Sequence, residues 1–138
     1  MYVRSSTDEV KTMTTPMKLG SGTWQLNACP MDGGGISVSD HRIETAWRRE
    51  GTVFMTSLDE PTKEAQLGAG KNSAVAIAGK AVVRVWQAGD DIQMKRGDQA
   101  AASIGKGSYP TIAAVPGRDG AVVVAWEAAD GVRALPVE

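Results

Sequence analysis

Arg48, Arg49, Tyr109 and Glu127 are the residues of this sequence whose types could act together on a bound molecule. Guanidinium forks grip carboxylates, a phenol can serve as nucleophile, and a glutamate can move a proton. No motif places the four on one site. Glu127, directly after Trp126, is the most suggestive carboxylate, but no second carboxylate or base is spaced to work with it. Chemistry that needs other groups finds little to use. His41 stands alone in the turn Ser39-Asp40-His41-Arg42, and with neither a second histidine nor a cysteine cluster no metal site and no cofactor are expected. Cys29 is the one cysteine, so no intramolecular disulfide can form, and it reads as a small buried hydrophobe rather than a nucleophile. Gly33-Gly34-Gly35 leads into a short strand and not a helix, so a phosphate cradle lacks its context, and the run reads as a tight, close-packed approach to that strand.

The elements that must carry these groups repeat along the chain. Trp47, Trp86 and Trp126 are separated by 39 and 40 residues, and each closes an apolar stretch before a polar turn. A period of about 40 to 45 residues marks stacked supersecondary units, and four short strands per unit is its propeller form. Leu19-Gly20-Ser21-Gly22, Leu67-Gly68-Ala69-Gly70 and Ile104-Gly105-Lys106-Gly107 hold the same place in successive units. The strands ending at the three tryptophans follow, and a fresh apolar strand starts at Val53, Ile92 and Val132. Arg84 shares a face with Val82 and Trp86 in a strand that otherwise reads as buried on both sides, so it must either pair with a carboxylate inside or face an open channel.

Composition agrees. The 138 residues are enough for one domain, 42% are hydrophobic, and most of the 16 glycines and 6 prolines fall between strand candidates. Runs rich in Val, Ile and Ala with period two predict an all-β fold without a long helix. With 15 basic and 16 acidic residues well mixed, no basic stripe invites nucleic acid. No run approaches the length of a membrane span and no apolar leader opens the chain, so a soluble protein is expected; the residues name no compartment.

The segment Ser6-Thr7-Asp8-Glu9-Val10-Lys11-Thr12-Met13 resembles the Asp box, the S-x-D-x-G-x-T-W turn of sialidases and their relatives. Serine, aspartate and threonine are kept, while Val10 stands at the glycine position and Met13 at the tryptophan. With Gly22-Thr23-Trp24, with Cys29 to Gly35 and with the Trp-ending strands, nearly the whole chain is similar to bacterial sialidase-like, Asp-box (BNR-repeat) propeller proteins. The resemblance implies that Asp8 is structural, its oxygens accepting local backbone N–H groups on the face away from any ligand. It also implies a ligand rim built from the loops that lead into the first strand and out of the second strand of each blade. The candidate binding residues on that rim are Asp32, Arg48, Arg49, Asn72, Asp90, Tyr109 and Glu127, with Glu50, Lys71 and Asp91 beside them. Mixed charge of this kind suits a sugar or another small polar ligand, and is also what solvated turns present. Sialidase catalysis uses three arginines, a tyrosine paired with glutamate, and an aspartate. This chain lacks the Arg-Ile-Pro type segment and supplies about half of a six-bladed ring, so no catalytic residue is assigned.

The expected organisation is a half-propeller of about three four-stranded antiparallel blades. Residues 1–22 form outer strands with the altered Asp box, 23–70 and 71–107 two blades, and 108–138 a partial final blade. Three blades cannot close alone. A homodimer closing one six-bladed ring is the partner expected, against a piece whose other blades lie upstream. Three functions remain open: a non-catalytic binder of a glycan or small polar ligand, a glycosidase relative with residual hydrolysis, or a structural or protein-interaction module anchored by Trp24 and the inserted loop 23–28.

Overall fold

The computed structural model describes residues 1–26, 33–40 and 42–138. The described residues are all-β, with no helix, in four antiparallel sheets. A two-stranded sheet pairs β1 (Tyr2–Val3) with β2 (Met17–Lys18). The first large sheet is a simple up-and-down run of β3 (Gly35–Ser39), β4 (Arg42–Arg49), β5 (Thr52–Ser57) and β6 (Ala65–Ala69). The second repeats it with β7 (Lys71–Ala78), β8 (Ala81–Ala88), β9 (Asp91–Arg96) and β10 (Ala102–Lys106). The third has β11 (Ser108–Ala114), β12 (Val122–Ala128) and β13 (Gly131–Val137), and among the described residues no fourth strand joins it.

The glycine and tryptophan repeats are two halves of one lock. A Cβ built on Gly105 would lie 2.6 Å from the ring of Trp126, one on Gly20 would lie 3.0 Å from Trp47, and Gly68 faces Trp86 at 3.7 Å. Each tryptophan therefore lies across the glycine stretch of the preceding unit; a Cβ on Gly20, Gly70, Gly105 or Gly107 would crowd the ring, while one on Gly68 would meet it at ordinary contact distance. Trp126 Nε1 also donates to the Lys106 carbonyl at 3.0 Å, so the buried indole N–H is satisfied. Gly20 faces Trp47 as Gly68 faces Trp86 and Gly105 faces Trp126, while a Cβ on Gly22 would meet Arg49 instead.

Between the second and third sheets lies the main core: Ala76, Val83, Val85, Ile92, Val122, Val124 and Trp126 are all buried. Alternation along β8 sends Val83 and Val85 to this side and Val82, Arg84 and Trp86 towards the first sheet. There Arg84 Nη2 donates to Glu44 Oε2 at 2.6 Å, with both side chains almost out of solvent. Arg42 holds the other carboxylate oxygen at 2.5 Å. Of the two alternatives for Arg84, the internal ion pair is the one realised. Ser37 Oγ accepts the Ile77 N–H at 3.0 Å, tying the first strands of adjacent sheets together.

Gly35 does approach closely, since a Cβ there would meet Ala74 Cα at 3.0 Å, and one on Gly34 would meet Met1 Cε at 2.5 Å; beside Gly33 nothing lies within 4 Å. Among the described residues no helix is long and apolar enough to cross a membrane.

Candidate functional site

Two kinds of segment meet at one end of the three large sheets. The turns between second and third strands are Glu50-Gly51, Gly89-Asp90 and Ala129-Asp130; the links between sheets run through Gly70 and Gly107. Backbone bonds tie each link to the turn of its own sheet: Gly70 N donates to Gly51 O and Gly107 N to Asp90 O, both at 2.8 Å. The antiparallel order therefore gathers Arg48, Arg49, Asn72, Asp90, Tyr109 and Glu127 at this end. Asp32, Cys29 and His41 lie outside the described residues, as does part of the loop 23–28.

The strands do not run into this end smoothly. The register of β7 on β8 shifts between Lys71 and Ala74, and that of β11 on β12 between Ser108 and Thr111. Inside these bulges sit Asn72 at φ +52° and Tyr109 at φ +51°, each two residues after a repeat glycine. Left-handed backbone is tolerated by asparagine and is uncommon for tyrosine. The bulges turn both side chains out of the strand alternation, a device common beside binding sites. Gln87, the residue after Trp86, holds the first bulge. Its Oε1 accepts Asn72 Nδ2 at 3.0 Å and the Tyr109 N–H at 3.4 Å, while its Nε2 donates to Gly89 O at 2.9 Å.

Arg49 is spent on structure. Its two Nη atoms donate to the two oxygens of Glu64 at 2.8 and 2.7 Å, and its guanidinium lies 3.9 Å over the Phe54 ring. The Arg49 hydrogen bonds, opposed by partial burial, hold the Glu64 carboxyl below its ordinary range, and Glu64 in turn raises Arg49. Arg48 instead stacks its guanidinium 5.4 Å from the Trp24 ring. Trp24 is half-buried beside it.

Beside this stack lies the larger cavity of this end, about 480 Å³, between the two-stranded sheet and the first large sheet. Trp24, Trp47, Lys18, Arg48 and Arg49 line it. A second, about 460 Å³, opens between the second and third sheets beside Gln87, Asp90, Lys106, Ser108 and Glu127. The candidates thus divide: Arg48 and Arg49 fall at the first cavity, Asp90 and Glu127 at the second, and Asn72 and Tyr109 in the bulges joined by Gln87. Tyr109 and Asp90 are exposed. Family models, curated proteins and solved structures yield no match to this chain.

Gln87, Glu64 and Lys18 escape a reading of the sequence. Gln87 is legible in one respect: it follows a repeat tryptophan, as Arg48 and Glu127 do. Glu64 and Lys18 carry no such signal, because their roles depend on a pairing across the fold. Among the described residues no cluster of three histidine, cysteine, aspartate or glutamate side chains could hold a metal.

The Asp8 turn sits away from these cavities. Asp8 accepts Ser6 Oγ at 2.7 Å, Thr12 N at 2.9 Å and Thr12 Oγ1 at 2.7 Å, while Ser6 Oγ accepts the Val10 N–H at 2.9 Å. These hydrogen bonds, from Ser6 first and then Thr12, lower the Asp8 carboxyl to about 2. All three bonds to the carboxylate come from within four residues of Asp8, as a structural turn requires.

Proposed function

We propose that this chain is a non-catalytic binding protein of the sialidase-like propeller type, each large sheet being a blade. Three blades make half of a ring that a second copy completes. Its ligand is a glycan or another small polar molecule held at the end that carries the bulges. The observation that carries this reading is a split in the repeat. The glycines and tryptophans that lock the sheets recur in every unit, while the positions just after them differ. Arg48 stacks on Trp24 in the first unit, Gln87 binds Asn72 in the second, and Glu127 and Tyr109 fill the same positions in the third. A constant scaffold with a varied rim is the usual division between packing and binding residues.

Two features support binding over hydrolysis. Arg49 spends both arms of its fork on Glu64, which leaves no carboxylate clamp of the sialidase kind at that position. The larger cavity is lined by Lys18 and by Arg48, the latter positioned by its stack on Trp24, which suits hydrogen bonding to sugar hydroxyls or acid groups.

The test is a glycan array followed by calorimetry on the best hit. Wild type should bind, Trp24→Ala should weaken binding at least tenfold, and Lys63→Ala, remote from the rim, should not change it. Release of fluorophore from a fluorogenic sialoside above the uncatalysed rate would replace this reading by the glycosidase one. Failure to retain any glycan would leave a small polar ligand of another class, or the interaction-module reading, in its place.

A further inference from the structure

The two ends of the three-sheet stack expose faces whose repeat equivalents are buried elsewhere in the same chain. By strand register, Ile36 and Val38 of β3 correspond to Val75 and Ile77 of β7. Val75 and Ile77 are 6% and 9% exposed because the first sheet covers them; Ile36 and Val38 are 56% and 66% exposed. At the other end, Val123 and Ala125 of β12 correspond to Val83 and Val85 of β8. Val83 and Val85 are fully buried against the third sheet, while Val123 and Ala125 are only half-buried and Ala113 beside them is exposed. The seven-residue β13 pairs with β12 on one side, and among the described residues no strand lies on its other side, a ready template for another strand.

We propose that these faces close on each other between two copies. The segment 16–20 of one copy becomes the fourth strand on the other's β13, and Ile36 and Val38 of the first copy pack under Ala113, Val123 and Ala125 of the second. This continues the sheet-to-sheet interface already present twice within the chain. It rests on the blade reading of the sheets above.

The register follows from the repeat. In the second sheet Gln93 faces Ser103 and Met94 faces Ala102. The same offsets from Gly20 put Arg133 opposite Lys18 and Ala134 opposite Met17 of the other copy. Arg133 brings its own counter-charge, since Asp130 lies 2.5 Å from it. The two-residue β1 now holds that side of β2, through Tyr2 with Lys18 and Val3 with Met17. A seven-residue β13 displaces this short pairing. Area agrees: the chain exposes 8361 Å², about 1,500 Å² more than the roughly 6,900 Å² of a compact monomer of 14.5 kDa. Two symmetric junctions of about 750 Å² per chain match a standard interface of about 800 Å² per partner.

Two experiments test the junction on the full chain. Chains carrying Met17→Cys and Ala134→Cys, both with Cys29→Ser, are mixed and oxidised. A disulfide-linked dimer should form from the mixture and not from either chain alone, because antiparallel partners sit within disulfide reach. Light scattering should give twice 14.5 kDa for the wild type, and a single-chain mass for Ile36→Asp/Val38→Asp, whose side chains are already exposed in the monomer. A wild-type monomer at tens of micromolar, or cross-linking no greater than for a Lys95→Cys control, would overturn the proposal. Glycan binding is read on the same samples: a monomer that binds sinks the junction and the two-copy ring but leaves the ligand reading, and a dimer that binds nothing sinks only the ligand reading.

Discussion

Glu44 and Arg84, forty residues apart in the chain, meet at 2.6 Å across the junction of the first and second sheets, at 1% and 4% exposure. Arg42 takes the second oxygen of Glu44, but Arg84 Nε finds no hydrogen-bond partner among the described residues. Burying both charges is costly, and removing one leaves the other uncompensated. Glu44→Ala or Arg84→Ala should cost about 3–5 kcal/mol, while Glu44→Met/Arg84→Met should be near neutral. Urea midpoints of the three variants check this; equal losses in the single and double variants would mean that the pair does not act as a unit.

The lock between Gly105 and Trp126 makes a steric prediction. Gly105→Ala forces its methyl to within 2.6 Å of the ring, and overpacking of this kind costs about 1–3 kcal/mol. Gly33→Ala, with no atom within 4 Å, should be close to neutral. Thermal melts followed by tryptophan fluorescence distinguish the two, and a Gly105→Ala melt equal to wild type would mean that the ring has no need of the glycine.

Val10 carries φ +67°, a backbone that favours glycine, and its side chain is 71% exposed. A β-branched residue gains nothing from this backbone and loses about 1–2 kcal/mol to it, part of which glycine gives back through its own entropy. Val10→Gly should therefore stabilise the chain by about 0.5–1 kcal/mol. Denaturant titration provides the comparison; a destabilised variant would show that the turn is held by something other than its local backbone.

Asp8 titrates at about 2 because Ser6 and Thr12 hydrogen-bond its ionised form. A carboxyl depressed in the folded state adds stability above its ordinary value near 4, and that contribution is lost as pH falls through about 2. The Asp8 contribution should thus be constant at neutral pH and fade between about pH 4 and 2. The Thr12 amide resonance should shift with a midpoint near 2 in wild type and show no such transition in Asp8→Asn.

Much of the fold is legible because burial leaves a periodic trace. Trp47, Trp86 and Trp126 recur because each must cover the same glycine stretch, and period-two runs such as 81–86 recur because strands alternate. The candidate site is legible only as a set of turns. Bulges at Asn72 and Tyr109 decide where those side chains point, and neither residue type predicts a left-handed backbone in a strand. Trp24 is half-buried beside the Arg48 guanidinium, a contact that linear order does not announce.

Local chemistry is what the sequence by itself determined: an all-β chain, its repeat, its turns, and a self-contained hydrogen-bonded loop around Asp8. Each depends on neighbours within a few residues or on a fixed period, which linear order preserves. Only the tertiary structure decided that Arg84 belongs to Glu44, that Arg49 is taken by Glu64, and that Gln87 ties two bulges together. Those pairings join residues up to forty positions apart, and a polar side chain gives no sign of its partner until packed sheets bring the two into one low-dielectric space.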